Sequence, residues 1–229
     1  MVESPEVSPS REDSDMTPEK AAEHLRIIRE LMERPIRQTT RSGASAVIAG
    51  LLALAGSAAT YLLIGPNLKW NIVPSPCFSM WHVLAAYIYA IKLVGVIWWG
   101  VLVLAAATDL VITWRRTRKL GQSYWRRAQW QTAQAIAPGF IVGGLLTVFL
   151  FNRGGLEYIP FTWMVFYGMA VWSAGLLGII EVKLLGAAFM AAGLVGLVWF
   201  IDYPVAAMAV TFGGFHLIYG VVVWARHGG

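Results

Sequence analysis

From Ala44 onward, apolar residues run in six continuous stretches, at 44–64, 83–107, 135–152, 161–180, 184–201 and 205–225. Each is close to the roughly 20 residues that carry a helix across bilayer hydrocarbon. A barrel strand would alternate polar and apolar side chains, because its other face lines the lumen. These stretches do not alternate, and in lipid a helix satisfies its own backbone, so helices are predicted. The pattern predicts an all-α, polytopic membrane protein, a six-helix transmembrane bundle over 44–225.

Upstream the pattern changes twice. Residues 1–16 (MVESPEVSPSREDSDM) are rich in Ser, Pro and acid and predict a disordered acidic tail. Residues 17–35 predict an amphipathic helix, with Thr17 as N-cap, Pro18 at the first helical position and a stop before Pro35. Ala21, Leu25, Ile28 and Met32 share one face, widened by Ile27 and Leu31. The opposite face mixes signs, pairing Arg26 with Glu30, Arg29 with Glu33 and Glu30 with Arg34 at i,i+4. A helix lying on anionic lipid would show a dominantly basic face. The expected occupant of Leu25, Ile28 and Met32 is therefore protein, a partner or a second copy of the chain.

Composition sharpens the class. Hydrophobic residues make up 57% of the chain and charged residues 14%, against about 25% charged in soluble domains. With a mean hydropathy of +0.59, a soluble globule is excluded, and long aromatic-rich runs exclude a disordered chain. The net charge of +5 changes meaning once placed. Arg115, Arg116, Arg118, Lys119, Arg126 and Arg127 lie between the second and third stretches, and Arg34, Arg37 and Arg41 precede the first. Six crossings put these on one side, which the positive-inside rule makes cytoplasmic together with both termini. The six residues at 115–127 are expected to contact anionic phospholipid headgroups rather than nucleic acid, despite aromatic interleaving. Trp70, Trp81, Trp114, Trp125, Trp130, Trp163, Trp199 and Trp224 fall at or near stretch ends, as an aromatic belt would. The acidic start predicts no secretory signal peptide.

Candidate chemistry is sparse. A charge inside hydrocarbon is costly and commonly functional. Two ionisable residues lie clearly inside stretches: Lys92, about 15 Å from the Trp81 end, and His216, about 18 Å from Pro204. Equal depth predicts an intramembrane polar site of Lys92, His216, Tyr89 and Tyr219, suited to a proton relay, an anionic group or a sensed ligand. The plainer alternative is that His216 hydrogen-bonds across the bundle and Lys92 snorkels to the interface. His82 and His216 differ by about 18 Å in height and cannot share a haem iron. Cys77 and His82 lack a nearby carboxylate and make a poor metal site, so no metal and no cofactor are expected. Asp109, Glu181 and Lys183 are expected at the inner boundary, the last two in a turn. Neither GxSxG, HExxH, a Walker A loop nor GxGxxG occurs.

Small residues predict where helices touch: Gly139 with Gly143, and Gly193 with Gly196. A kink is expected at Pro138 of a helix beginning near Tyr124. The two halves of the chain show no matching inverted repeat.

The segments EHLRIIRELMERPIRQTTRSGASAVIAGLLALAG and FGGFHLIYGVVVWARHGG resemble a group of uncharacterised bacterial multi-pass membrane proteins. These combine an EHLRxIRELMER-type helix with a final span carrying His-x-x-Tyr-Gly, here His216, Tyr219 and Gly220. The resemblance covers the first third and the last span, and it implies the bacterial inner membrane. The expected role is a non-enzymatic component of a membrane complex or a sensory protein. The alternative is a proton or small-solute transporter using Lys92 and His216.

Overall fold

The computed structural model describes residues 17–18, 22–28, 43–65, 80–119, 127–176 and 178–227, and no strand occurs among them. Residues 1–39 form one compact unit and residues 40–229 another. In the first, Thr17 is non-helical, Pro18 is helical and residues 22–28 are continuously helical. Leu25, Ile27 and Ile28 are exposed there, and Glu23 pairs with Arg26 one turn on at 3.9 Å. The acidic tail, Ala21, Met32, Arg34, Arg37 and Arg41 lie outside the described residues.

The second unit contains α1 (Gly43–Ile64), α2 (Met80–Lys119), α3 (Arg127–Arg153), a 3₁₀ turn (Leu156–Tyr158), α4 (Ile159–Leu176) and α5 (Ile180–Trp199). The last span is α6 (Pro204–Met208), a π-helical stretch (Ala209–Phe215) and α7 (His216–His227) in succession. Six helical segments are long and apolar enough to cross a membrane, and the chain is an all-α polytopic membrane protein. Two ends need a left-handed residue that only glycine adopts without strain. Gly65, at φ 79°, closes α1 with its N–H on the Tyr61 carbonyl at 2.8 Å, and Gly154, at φ 76°, ends α3.

Several boundaries differ from expectation. α2 has 40 residues, or about 60 Å, twice the roughly 30 Å of hydrocarbon. Arg115, Arg116, Arg118 and Lys119 are therefore the last turns of a helix, where cations complement the free carbonyls, and not a loop. α3 is described from Arg127 and continues through Pro138, while the expected start near Tyr124 lies outside the described residues. Glu181 and Lys183 lie in the first turns of α5 instead of a turn, because the helix begins at Ile180.

The spans sort into two groups that are not consecutive halves. α1 packs on α2 and on the last span, whereas α4 packs on α3 and most extensively on α5. Close approach within each group uses glycines seven apart. A Cβ added to Gly43 would collide with the Gly220 carbonyl oxygen, and one added to Gly50 would lie 2.8 Å from that of Gly213. Gly168 and Gly186 face each other likewise at 2.7 Å. Lipid supplies no hydrophobic drive between helices, so such backbone contact is what holds these pairs. Gly139, Gly193 and Gly196 also meet neighbouring helices closely, while Gly143 rests on Phe166. α2 and α3 are outriggers, with 6% of their apolar windows buried against 28–39% in the other spans.

Candidate functional site

His216 lies where the π-helical stretch gives way to α7. At the exit from this π stretch the His216 N–H reaches the Gly213 carbonyl, three residues back, rather than that of Phe212. The Phe212 carbonyl, four residues back, instead meets the His216 ring at Nδ1, 2.9 Å away. A carbonyl only accepts, so Nδ1 carries the proton. In the neutral ring Nε2 is then an acceptor, and the Tyr167 hydroxyl of α4 donates to it at 2.7 Å. His216 is buried, 9% exposed, and spends both ring nitrogens inside the bundle, one on its own helix and one across it.

Aromatic rings enclose this pair. Phe189 of α5 lies 5.3 Å from the His216 ring and 4.8 Å from the Tyr167 ring, both near edge-to-face. Phe212 stacks on His216 with planes 15° apart. The cluster continues through Trp98 of α2, edge-on to Phe212 at 6.2 Å and to Trp163 of α4 at 6.4 Å. Each indole N–H finds a threonine: Trp98 donates to Thr60 at 3.1 Å and Trp163 to Thr147 at 2.7 Å. Each threonine in turn donates to a glycine carbonyl four residues back, Gly56 and Gly143. This layer joins the two groups of spans. Chemically, the His216–Tyr167 pair can pass a hydrogen bond or a proton between α4 and the last span within an apolar enclosure.

Of the other expected members, Tyr219 packs against the same core cluster, but Lys92 and Tyr89 do not approach it. Tyr89 is 70% exposed, and Lys92 lies on the outward face of α2. The register explains why. Ser45 donates to Asp109 at 2.8 Å and Trp98 bonds Thr60, so α1 and α2 are antiparallel and Ile64 is level with α2 near Val94. Gly50 faces Gly213, which sets His216 level with Gly50 and hence with α2 near Ala105. Lys92 is about 13 residues, roughly 20 Å, farther along the axis. Equal depth fails because Met80–Trp81 projects beyond the end of α1, so Trp81 does not mark the same level as Pro204.

Tyr167 was not expected at the site. The available signal was its position: tyrosine favours membrane interfaces, and one in mid-span needs a partner for its hydroxyl.

At the end of the bundle where α1 begins, Arg226 of α7 pairs with Glu181 of α5 at 3.2 Å. The Arg118 guanidinium covers the Trp114 ring at 5.3 Å. Cys77, Arg126 and the side chains of His82 and Arg127 lie outside the described residues. Among the described residues no three His, Cys, Asp or Glu side chains gather as metal ligands.

Compared with protein-family models, with curated proteins and with solved structures, the chain finds no match.

Proposed function

We propose that the protein is a binding component of a bacterial cytoplasmic-membrane complex, held by six spans and joined to a second copy of itself through the N-terminal helix. The observation that carries this is the exposure of Leu25 and Ile28, 67% and 51%, one turn apart on helical residues 22–28. Apolar side chains aligned on one helix face in water are stabilised by a covering partner. The flank beside them carries both signs, as the Glu23–Arg26 pair illustrates. A second copy then meets opposite charges rather than a wall of like charge. Both termini are assigned to the cytoplasm, supported by the arginines that end α2 and by Arg226, and by the even number of spans. Joint action of Lys92 and His216 in transport has their axial separation against it.

The test is disulfide or bis-maleimide cross-linking in native membranes, with Cys77→Ser as background and Leu25→Cys or Ile28→Cys added. Covalent dimers that disappear on adding Glu at the other position support the proposal. Monomer alone, or adducts exclusively with other proteins or lipid, overturns it.

A further inference from the structure

The face of α2 turned away from α1 carries a shallow groove lined by Lys92, Gly95, Val96, Trp99, Gly100 and Val103. These positions follow i, i+3, i+4, i+7, i+8 and i+11, so the groove is one stripe of a single helix. A Cβ at Gly95 or Gly100 would have no heavy atom within 4 Å, so the floor opens away from the rest of the chain. Val96 and Trp99, 66% and 68% exposed, form its walls. One cation stands at the mouth of this otherwise apolar channel.

Its dimensions and level are those of one lipid leaflet. From Lys92 to Val103 the helix rises about 17 Å, and half the hydrocarbon thickness is about 15 Å. Lys92 lies just past the level of Ile64, where α1 ends. The ammonium is thus at headgroup height, and the groove descends from it toward mid-bilayer. Tyr89, exposed three residues before Lys92, sits where aromatic residues favour the interface.

We propose that this groove is a binding site for an anionic phospholipid. The Lys92 ammonium pairs with the phosphodiester, and one acyl chain lies over Gly95 and Gly100 against Trp99 and Val103. A free phosphate would leave the channel empty. A partner helix would have to supply both a carboxylate at the level of Lys92 and an apolar face matched to the groove below it, whereas a lipid carries its phosphate at that height with an acyl chain beneath. Net negative charge favours such a lipid over a zwitterionic one, whose own cation competes for the phosphate. This inference is independent of the contact made by the N-terminal helix.

The full chain is reconstituted in nanodiscs of equal phosphatidylglycerol and phosphatidylcholine, and co-purifying lipid is quantified by mass spectrometry after detergent extraction. One lysine contact at a membrane surface corresponds to about five-fold enrichment of phosphatidylglycerol. Two variants separate charge from shape: Lys92→Gln, and Gly95→Leu with Gly100→Leu, which fills the floor while keeping the lysine. The basic residues at the other end of α2 stay in every sample, so the site is read as a difference from the parent. Loss of the Lys92-dependent enrichment in both variants is the expected result. Enrichment unchanged in either variant overturns the proposal. Unchanged in Lys92→Gln means the lysine is not the anchor, and unchanged in the double leucine variant means the groove holds no chain. Occupation of the groove by a protein, shown by photo-crosslinking from position 103, also overturns it.

Discussion

Replacing Tyr167 with phenylalanine removes one oxygen and leaves the ring, which sits 4.8 Å from Phe189 and 5.3 Å from Phe212 between centroids. The aromatic packing survives, so the change isolates the 2.7 Å bond to Nε2 of His216. Hydrogen bonds between membrane helices contribute about 0.6 kcal/mol on average and about 1.7 kcal/mol at most. Leaving a buried polar atom unpartnered costs about 1–3 kcal/mol. The imidazole is held at Nδ1 by the Phe212 carbonyl at 2.9 Å, so it cannot swing Nε2 toward another donor. The Tyr167→Phe cost is therefore placed at the upper end, about 1.5 kcal/mol. His216→Phe costs more, because the Phe212 carbonyl also loses the ring N–H. The double variant then falls short of the sum by about 1 kcal/mol, the coupling of a direct contact. The assay is reversible unfolding in mixed micelles titrated with dodecyl sulfate, followed by circular dichroism. A Tyr167→Phe cost below about 0.3 kcal/mol, or strictly additive effects, refutes the assignment of this bond as a cross-bundle tie.

Two further outcomes follow from helix contact and threading. Gly220→Leu places carbon 2.7 Å from the Gly43 carbonyl oxygen and from a Val47 methyl. Backbone cannot retreat as a side-chain tip can, so α1 and α7 separate at a cost of at least about 3 kcal/mol, seen as lost folded protein on size exclusion. Gly144→Leu, with nothing within 4 Å of its Cβ position, stays within about 0.5 kcal/mol of the parent, as surface changes do; equal behaviour of the two variants refutes the packing argument. In a Cys77→Ser background, cysteines at Arg116 and Arg226 should both resist an impermeant maleimide in intact cells and react in inverted vesicles. Reactivity of one but not the other in intact cells would contradict an even number of crossings.

The number of spans was legible because each rests on some twenty residues of uniform hydropathy, a signal that survives local exceptions. Their ends were less legible. Nothing in the run TWRRTRK is apolar enough to signal a crossing, yet it continues the α2 helix, since helical propensity does not stop at the bilayer surface. His216 stood out as an ionisable group in an apolar span, but its partner did not. The expected pairing measured depth from span ends, and Trp81 is carried beyond the end of α1, which moves Lys92 to the level of the interface. Tyr167 was hidden among aromatic residues of similar hydropathy. The π stretch was hidden as well: TFGGF supplies small residues, but a one-residue shift in the hydrogen-bond ladder has no sequence period to display it. Contact at Gly139, Gly193 and Gly196 was readable because close approach needs small residues wherever it occurs.

The two groups of spans suggest why a polar pair sits at the centre of so apolar a molecule. Within each group, glycine lets backbone touch backbone, so the Gly43–Gly220 and Gly168–Gly186 contacts admit little sliding. Between the groups the contact is made by large rings, Trp98, Trp163, Tyr167, Phe189 and Phe212. Ring edges and faces can be exchanged at small cost, and lipid does not penalise a rotated apolar interface. One directional bond from Tyr167 to His216 distinguishes the settings that the rings leave nearly equal. The π stretch fits this role: it brings the imidazole toward α4 while Gly213 and Gly220, on either side of it in sequence, still rest on α1.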